Sequence, residues 1–165
     1  MDSNSINSCL KHIPGFLGTF PYNKIPKPKT FPAFAVINTK PDTHIGEHWV
    51  SLSFFRNKVI YFDSLFPKKL KKNFIFPNLV RNKIQLQSNL TDNCGGWCII
   101  NIIFLSLNPK LNNFLKMFDK KNLLYNDYII CHMINKIYKK EWGSTCISLK
   151  AINKKKKRRK APVSP

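Results

Sequence analysis

Apolar and polar positions alternate most regularly between residues 31 and 66. "FPAFAVINTK" (31–40) is mostly apolar and β-compatible, which predicts a first buried strand. After the turn-rich "PDTHIGE", the segments "HWVSLSFFRN" (48–57) and "KVIYFDSLF" (58–66) predict two more strands joined by a turn near Arg56-Asn57. Val50, Leu52 and Phe54 share one face of the first, and Val59 and Tyr61 share one face of the second. Residues 67–82 are basic and suit a loop or helix, and "NKIQLQSN" (82–89) suits a short strand.

The pattern then changes. "CGGWCIINIIFLSL" (94–107) is almost unbroken apolar sequence, and although it is rich in β-branched residues its length favours a buried helix. "KLNNFLKMF" (110–118) and "YNDYIICHMINKIYKKEW" (125–142) predict further helices, the second with apolar residues at 129, 130, 133, 134 and 137. Ahead of all this, "IPGFLGTFPYNKIPKPKT" has Pro or Gly every few residues, so residues 1–30 should be loop with one short helix before it. Strands first and helices after predict an α+β domain, a mixed β-sheet packed on helices around a buried central helix. One domain is expected over 1–150, with a flexible basic tail over 151–165.

Composition adds a strong charge signal. The 28 Lys and Arg outnumber the 8 Asp and Glu, for a net charge of +20. The tail run Lys154, Lys155, Lys156, Lys157, Arg158, Arg159 and Lys160 supplies seven cations, and the body without it still has 21 against 8. A polyanion such as DNA or RNA is the expected partner, bound without sequence specificity, and the tail run is the candidate contact. A solvated tail acting as a nuclear-localisation signal is the plainer alternative. No stretch reaches 18 apolar residues, so no membrane span is expected. No signal-peptide pattern opens the chain, so a reducing compartment is expected. The five cysteines, at 9, 94, 98, 131 and 146, are odd in number and irregularly spaced, unlike a disulfide scaffold.

Thiol chemistry needs an ionisable cysteine, a base beside it and a group that orients the base. If the hairpin turns at Arg56-Asn57, Phe55 pairs with Lys58 and Val50 with Asp63. His48 and Asp63 then become diagonal neighbours at its open end. Glu47, next to His48, should point to the other face. Cys94 precedes Gly95 at the start of the buried helix, where the helix dipole and free N–H groups favour a thiolate. Gly95, without a Cβ, would let the chain turn and a carbonyl approach. The Gln87 side chain, beside the Cys94 N–H, could donate to an oxyanion. Gln85 faces the same way and is the alternative donor; His44 is the alternative base. Cys98 suits a buried apolar role and Trp49 a core or wall position. A zinc site from Cys94, Cys98, Cys131 and His132 is disfavoured because the last two are adjacent.

"HW" on one strand, "YFDS" on the next, and "Q…NCGGWC" opening a helix together resemble the adenain family of viral cysteine proteases. That family includes the adenovirus maturation protease and the Polinton/Maverick-type enzymes. The segments "FLGTFPYNKIP" and "FAVINTKPDTHIGEHWVSL" resemble Polinton-type members, and the likeness runs from about residue 14 to 106. It implies Cys94 as nucleophile, His48 as base, Asp63 as orienting acid and Gln87 as oxyanion donor, the last at the family's spacing from the cysteine. Cys98 matches a second cysteine of adenoviral members, and the SUMO-specific proteases share the His–Asp–Gln–Cys order more distantly. No cysteine lies between Cys9 and Cys94 to match the one that binds an activating viral peptide in adenoviral members.

The resemblance implies a monomeric endopeptidase that processes virion precursor proteins in the host nucleus, the cytoplasm or the virion. Its chemistry needs no cofactor, and DNA or an activating peptide are the accessory factors the family suggests. The same residues would serve an isopeptidase for a ubiquitin-like modifier. A basic nucleic-acid-binding protein on an inactive protease scaffold would instead lack one of the four residues, and none is missing.

Overall fold

In the computed structural model, which describes residues 1–44, 47–66 and 74–138, Phe55 pairs with Lys58 and Ser51 with Phe62. These pairs join β3 (Trp49–Phe55) to β4 (Lys58–Phe62) in the antiparallel hairpin that the alternation predicted, turning at Arg56-Asn57. On the other side β3 pairs antiparallel with β2 (Ala33–Asn38). All six residues of β2 are buried, as expected of a central strand covered on both faces.

The sheet is wider than the sequence predicted. β1 (Phe16–Pro21) lies parallel to β2 at one edge, inside a stretch expected to be loop. Its glycine and proline are compatible with an edge: the register shifts between Phe16 and Gly18, and Gly18 takes a φ of 121°. At the opposite edge β5 (Leu79–Arg81) runs parallel to β4. The strand expected over 82–89 does not form; β5 lies just before it, and 82–93 is irregular backbone held by side-chain hydrogen bonds. The result is a five-stranded mixed sheet in the order β1-β2-β3-β4-β5.

Helices follow the predicted order: α1 (Ser3–Leu10), α2 (Cys94–Leu107), α3 (Leu111–Leu115) and α4 (Leu123–Tyr138). The protein is therefore α+β. α3 is shorter than its apolar pattern suggested. The main core lies between sheet and helices, where Phe34, Val36, Ile60 and Phe62 meet Trp97, Ile99, Phe114 and Ile130. α2 packs on β3, whose inward residues there are the small Ser51 and Ser53; the Ser51 hydroxyl donates to Asn101 Oδ1 at 2.9 Å. A second cluster covers the other sheet face, with Ile37, Val50, Leu52, Tyr61 and Phe74. The last residues of the helix expected to 142, Cys146, the boundary at 150 and the basic run Lys154–Lys160 lie outside the described residues.

Candidate active site

His48 stands just before β3 and Asp63 just after β4, so the hairpin register brings both to its open end. His48 Nε2 donates to Asp63 Oδ1 at 2.8 Å. Three further groups hold Asp63. The Leu65 N–H donates to Oδ1 at 2.9 Å and the Tyr61 hydroxyl to Oδ2 at 3.1 Å. Asn82 clasps the backbone, accepting from the Asp63 N–H at 3.0 Å and donating to its carbonyl at 2.7 Å. A buried carboxylate with this many donors has its direction fixed. Burial and the Asp63 charge push the Tyr61 hydroxyl far up, so it remains a donor.

Cys94 opens α2 and is 8% exposed, on a cleft of about 1140 Å³ that His48, Trp49 and Gln87 also line. No side chain caps α2, which leaves its first N–H groups, that of Cys94 among them, without an intrahelical partner. Burial would lower the His48 pKa. Hydrogen bonds to Asp63 and Cys94, with the negative charges of both, outweigh it and raise the value from 6.5 to about 10. With Nε2 committed to Asp63, Nδ1 is the ring nitrogen left for the thiol.

Gln87 is buried on the same cleft. Its Oε1 accepts from the Ser64 hydroxyl at 2.6 Å, and its Nε2 donates to the Thr91 carbonyl at 2.8 Å. A carbonyl can only accept, so the Thr91 contact fixes which end of the amide is nitrogen. Thr91 in turn donates to Asp127 Oδ2 at 2.9 Å, and the Ser88 N–H donates to the same oxygen at 2.9 Å. The other oxygen of Asp127 accepts from Trp97 Nε1 at 2.7 Å. One carboxylate on α4 thus ties the loop between Gln87 and Cys94 to the side of α2. Burial raises the Asp127 pKa, and these donors pull it back. Asp127 was not anticipated, although helical spacing places it with Ile130, Cys131 and Ile134, a charge among the buried residues of α4.

The remaining candidates separate cleanly. Gln85 lies off the cleft and spends its Nε2 on the Gln87 carbonyl and Asn89, both at 2.8 Å. His44 is on the cleft but meets Thr43 rather than a carboxylate. Glu47 is exposed, pairs with Lys40 at 3.0 Å, and lines the cleft rather than facing away from it. Burial, then the charges of Cys94 and Asp63, push the Cys98 thiol well up, so it stays neutral. Trp49 is a wall, its Nε1 donating to the Met1 carbonyl at 3.0 Å. Gly95 does not make the sharp turn expected of it. It lies inside the helix, and a Cβ there would stand 3.1 Å from the Met1 side chain and 3.3 Å from Ile6, so its smallness serves packing against α1. Among the described residues no group of three His, Cys, Asp or Glu could hold a metal ion, and no helix is long and apolar enough to cross a membrane.

No protein-family model matches the sequence, and no match is found among curated proteins.

Proposed function

We propose that the protein is a cysteine endopeptidase of the adenain type. The observation that carries this reading is the hydrogen bond from His48 Nε2 to the buried Asp63 carboxylate, on a cleft that Cys94 also lines at the start of a helix. In the proposed reaction the Cys94 sulfur attacks a peptide carbonyl carbon; the C–S bond forms as the carbonyl π pair moves to oxygen. The Cys94 N–H and a Gln87 amide N–H stabilise that oxyanion. Collapse breaks the C–N bond, and the His48 proton goes to the departing amine. Water, deprotonated by His48, then cleaves the thioester to a carboxylic acid and restores the thiol. Asp63 keeps the ring oriented and stabilises its positive form.

The adenain-like resemblance extends the proposal to virion precursor proteins as substrates and to an adenain/SUMO-protease-like version of the α+β fold. The net charge of +20 supports DNA as an accessory partner.

A peptide-library cleavage assay, run with and without DNA, tests the assignment. Wild type should cut and Cys94→Ala should not, with both showing the same circular dichroism. Full activity in Cys94→Ala would sink it. Efficient labelling by an intact ubiquitin-like probe ending in Gly-Gly, without peptide cleavage, would move the activity to isopeptidase.

A further inference from the structure

The chain is strongly basic, yet acidic side chains outnumber basic ones among the described residues that line the cleft opening on Cys94. Asp2, Asp42, Glu47, Asp63 and Asp92 line it, against Lys40 and the protonated His48 among the described residues. That gathers five of the chain's 8 acidic residues around one opening.

Only Asp63 is committed to the proposed chemistry. Asp92 is exposed, two residues before Cys94, and no hydrogen bond or ion pair holds its carboxylate among the described residues. Asp2, exposed on the rim, accepts at Oδ1 from the Ser5 N–H at 2.8 Å. Asp42 and Glu47 pair with Lys24 at 2.6 Å and Lys40 at 3.0 Å, in surroundings open to solvent. Exposed pairs of this kind stabilise little, so an incoming cation can replace either lysine at small cost. Cleft walls of low dielectric concentrate the field of such a rim, which draws in cationic ligands and repels anionic ones.

We infer that the cleft selects a cationic polypeptide segment, with Lys or Arg flanking the bond that is cut. This rests on the endopeptidase reading and names its substrate class. It also separates two surfaces by charge: a polyanion is repelled from the cleft and is left to the basic exterior.

Three sets of internally quenched peptides test this. All share one cleavable core, flanked by Lys and Arg, by Gln and Ser, or by Asp and Glu. At low salt kcat/KM should be about tenfold higher for the cationic set than for the neutral one, and lowest for the acidic set. Raising salt to about 0.5 M should bring the sets together, since exposed charges are then screened. Asp92→Asn combined with Asp42→Asn should narrow the cationic-to-neutral ratio by about threefold or more. Equal turnover of cationic and neutral sets at low salt, or preference for the acidic set, would overturn the inference while leaving the protease intact. If wild type cut no set and Cys94 reacted with alkylating agents no faster than Cys9 or Cys131, the protease reading would fall and this inference with it.

Discussion

His48 Nε2 and Asp63 Oδ1 lie 2.8 Å apart across the open end of a two-strand hairpin, with the carboxylate held by two other donors and its backbone clasped by Asn82. The ring therefore has one orientation set by the sheet, on a cleft that it shares with a thiol at the start of a helix. Asp63→Asn would put an amide where all the neighbours are donors. We expect kcat on a cleaved peptide to fall about 10²- to 10⁴-fold with little change in KM. Denaturant unfolding should show a loss of about 1–3 kcal/mol, from donors left without an acceptor.

His48 should be protonated at neutral pH. Its folded pKa, about 10, lies above the ordinary value of 6.5. Between these values the folded state holds a proton that the unfolded state releases. The His48 contribution to stability is thus fully present below pH 6.5 and is lost as pH rises through about 10. NMR titration of the His48 ring should place its transition well above neutrality. In Cys94→Ala and in Asp63→Asn the transition should move down, because each removes a hydrogen bond and a negative charge. A wild-type transition near 6.5 would contradict this.

Gln87→Ala removes a side-chain amide from the lining of the cleft that Cys94 shares. If that amide receives the oxyanion, kcat should drop about 10²- to 10³-fold with KM nearly constant. Alkylation of Cys94 by a small reagent, which forms no oxyanion, should be much less affected. Equal losses in both assays would mean that Gln87 only supports the loop.

Gly96→Ala tests packing behind the nucleophile. A Cβ there would run into Asn93 Oδ1 and come within 2.8 Å of Ile134 Cδ1. Overpacking of this kind should cost about 1–3 kcal/mol in urea unfolding. Activity should fall as well, because Asn93 is the residue from which α2 starts.

The hairpin was legible because its alternation and its turn agree on one register, and that register alone puts His48 beside Asp63. The limits of α2 were legible for a similar reason: the apolar run is too long for a strand, and Asn108-Pro109 follows its last residue. β1 was not legible. "FLGTFP" carries turn formers, and it becomes a strand through pairing with β2, a contact that its local sequence does not encode. The surroundings of Gln87 were hidden too. Its expected strand gives way to a loop whose shape comes from Ser64, Thr91 and Asp127, residues far apart along the chain. The apolar face of α4 did hold a clue, since a lone aspartate among buried residues requires partners.

The two halves of the candidate site hang from different supports. His48 and Asp63 are complete once the hairpin and Asn82 are in place. The loop that carries Gln87 and leads into Cys94 is fastened by Asp127, on the last described helix. During synthesis, then, the His48–Asp63 pair can form while the loop between Gln87 and Cys94 still lacks its anchor on α4. Under the proposed chemistry, full reactivity would have to wait for α4 to emerge and dock.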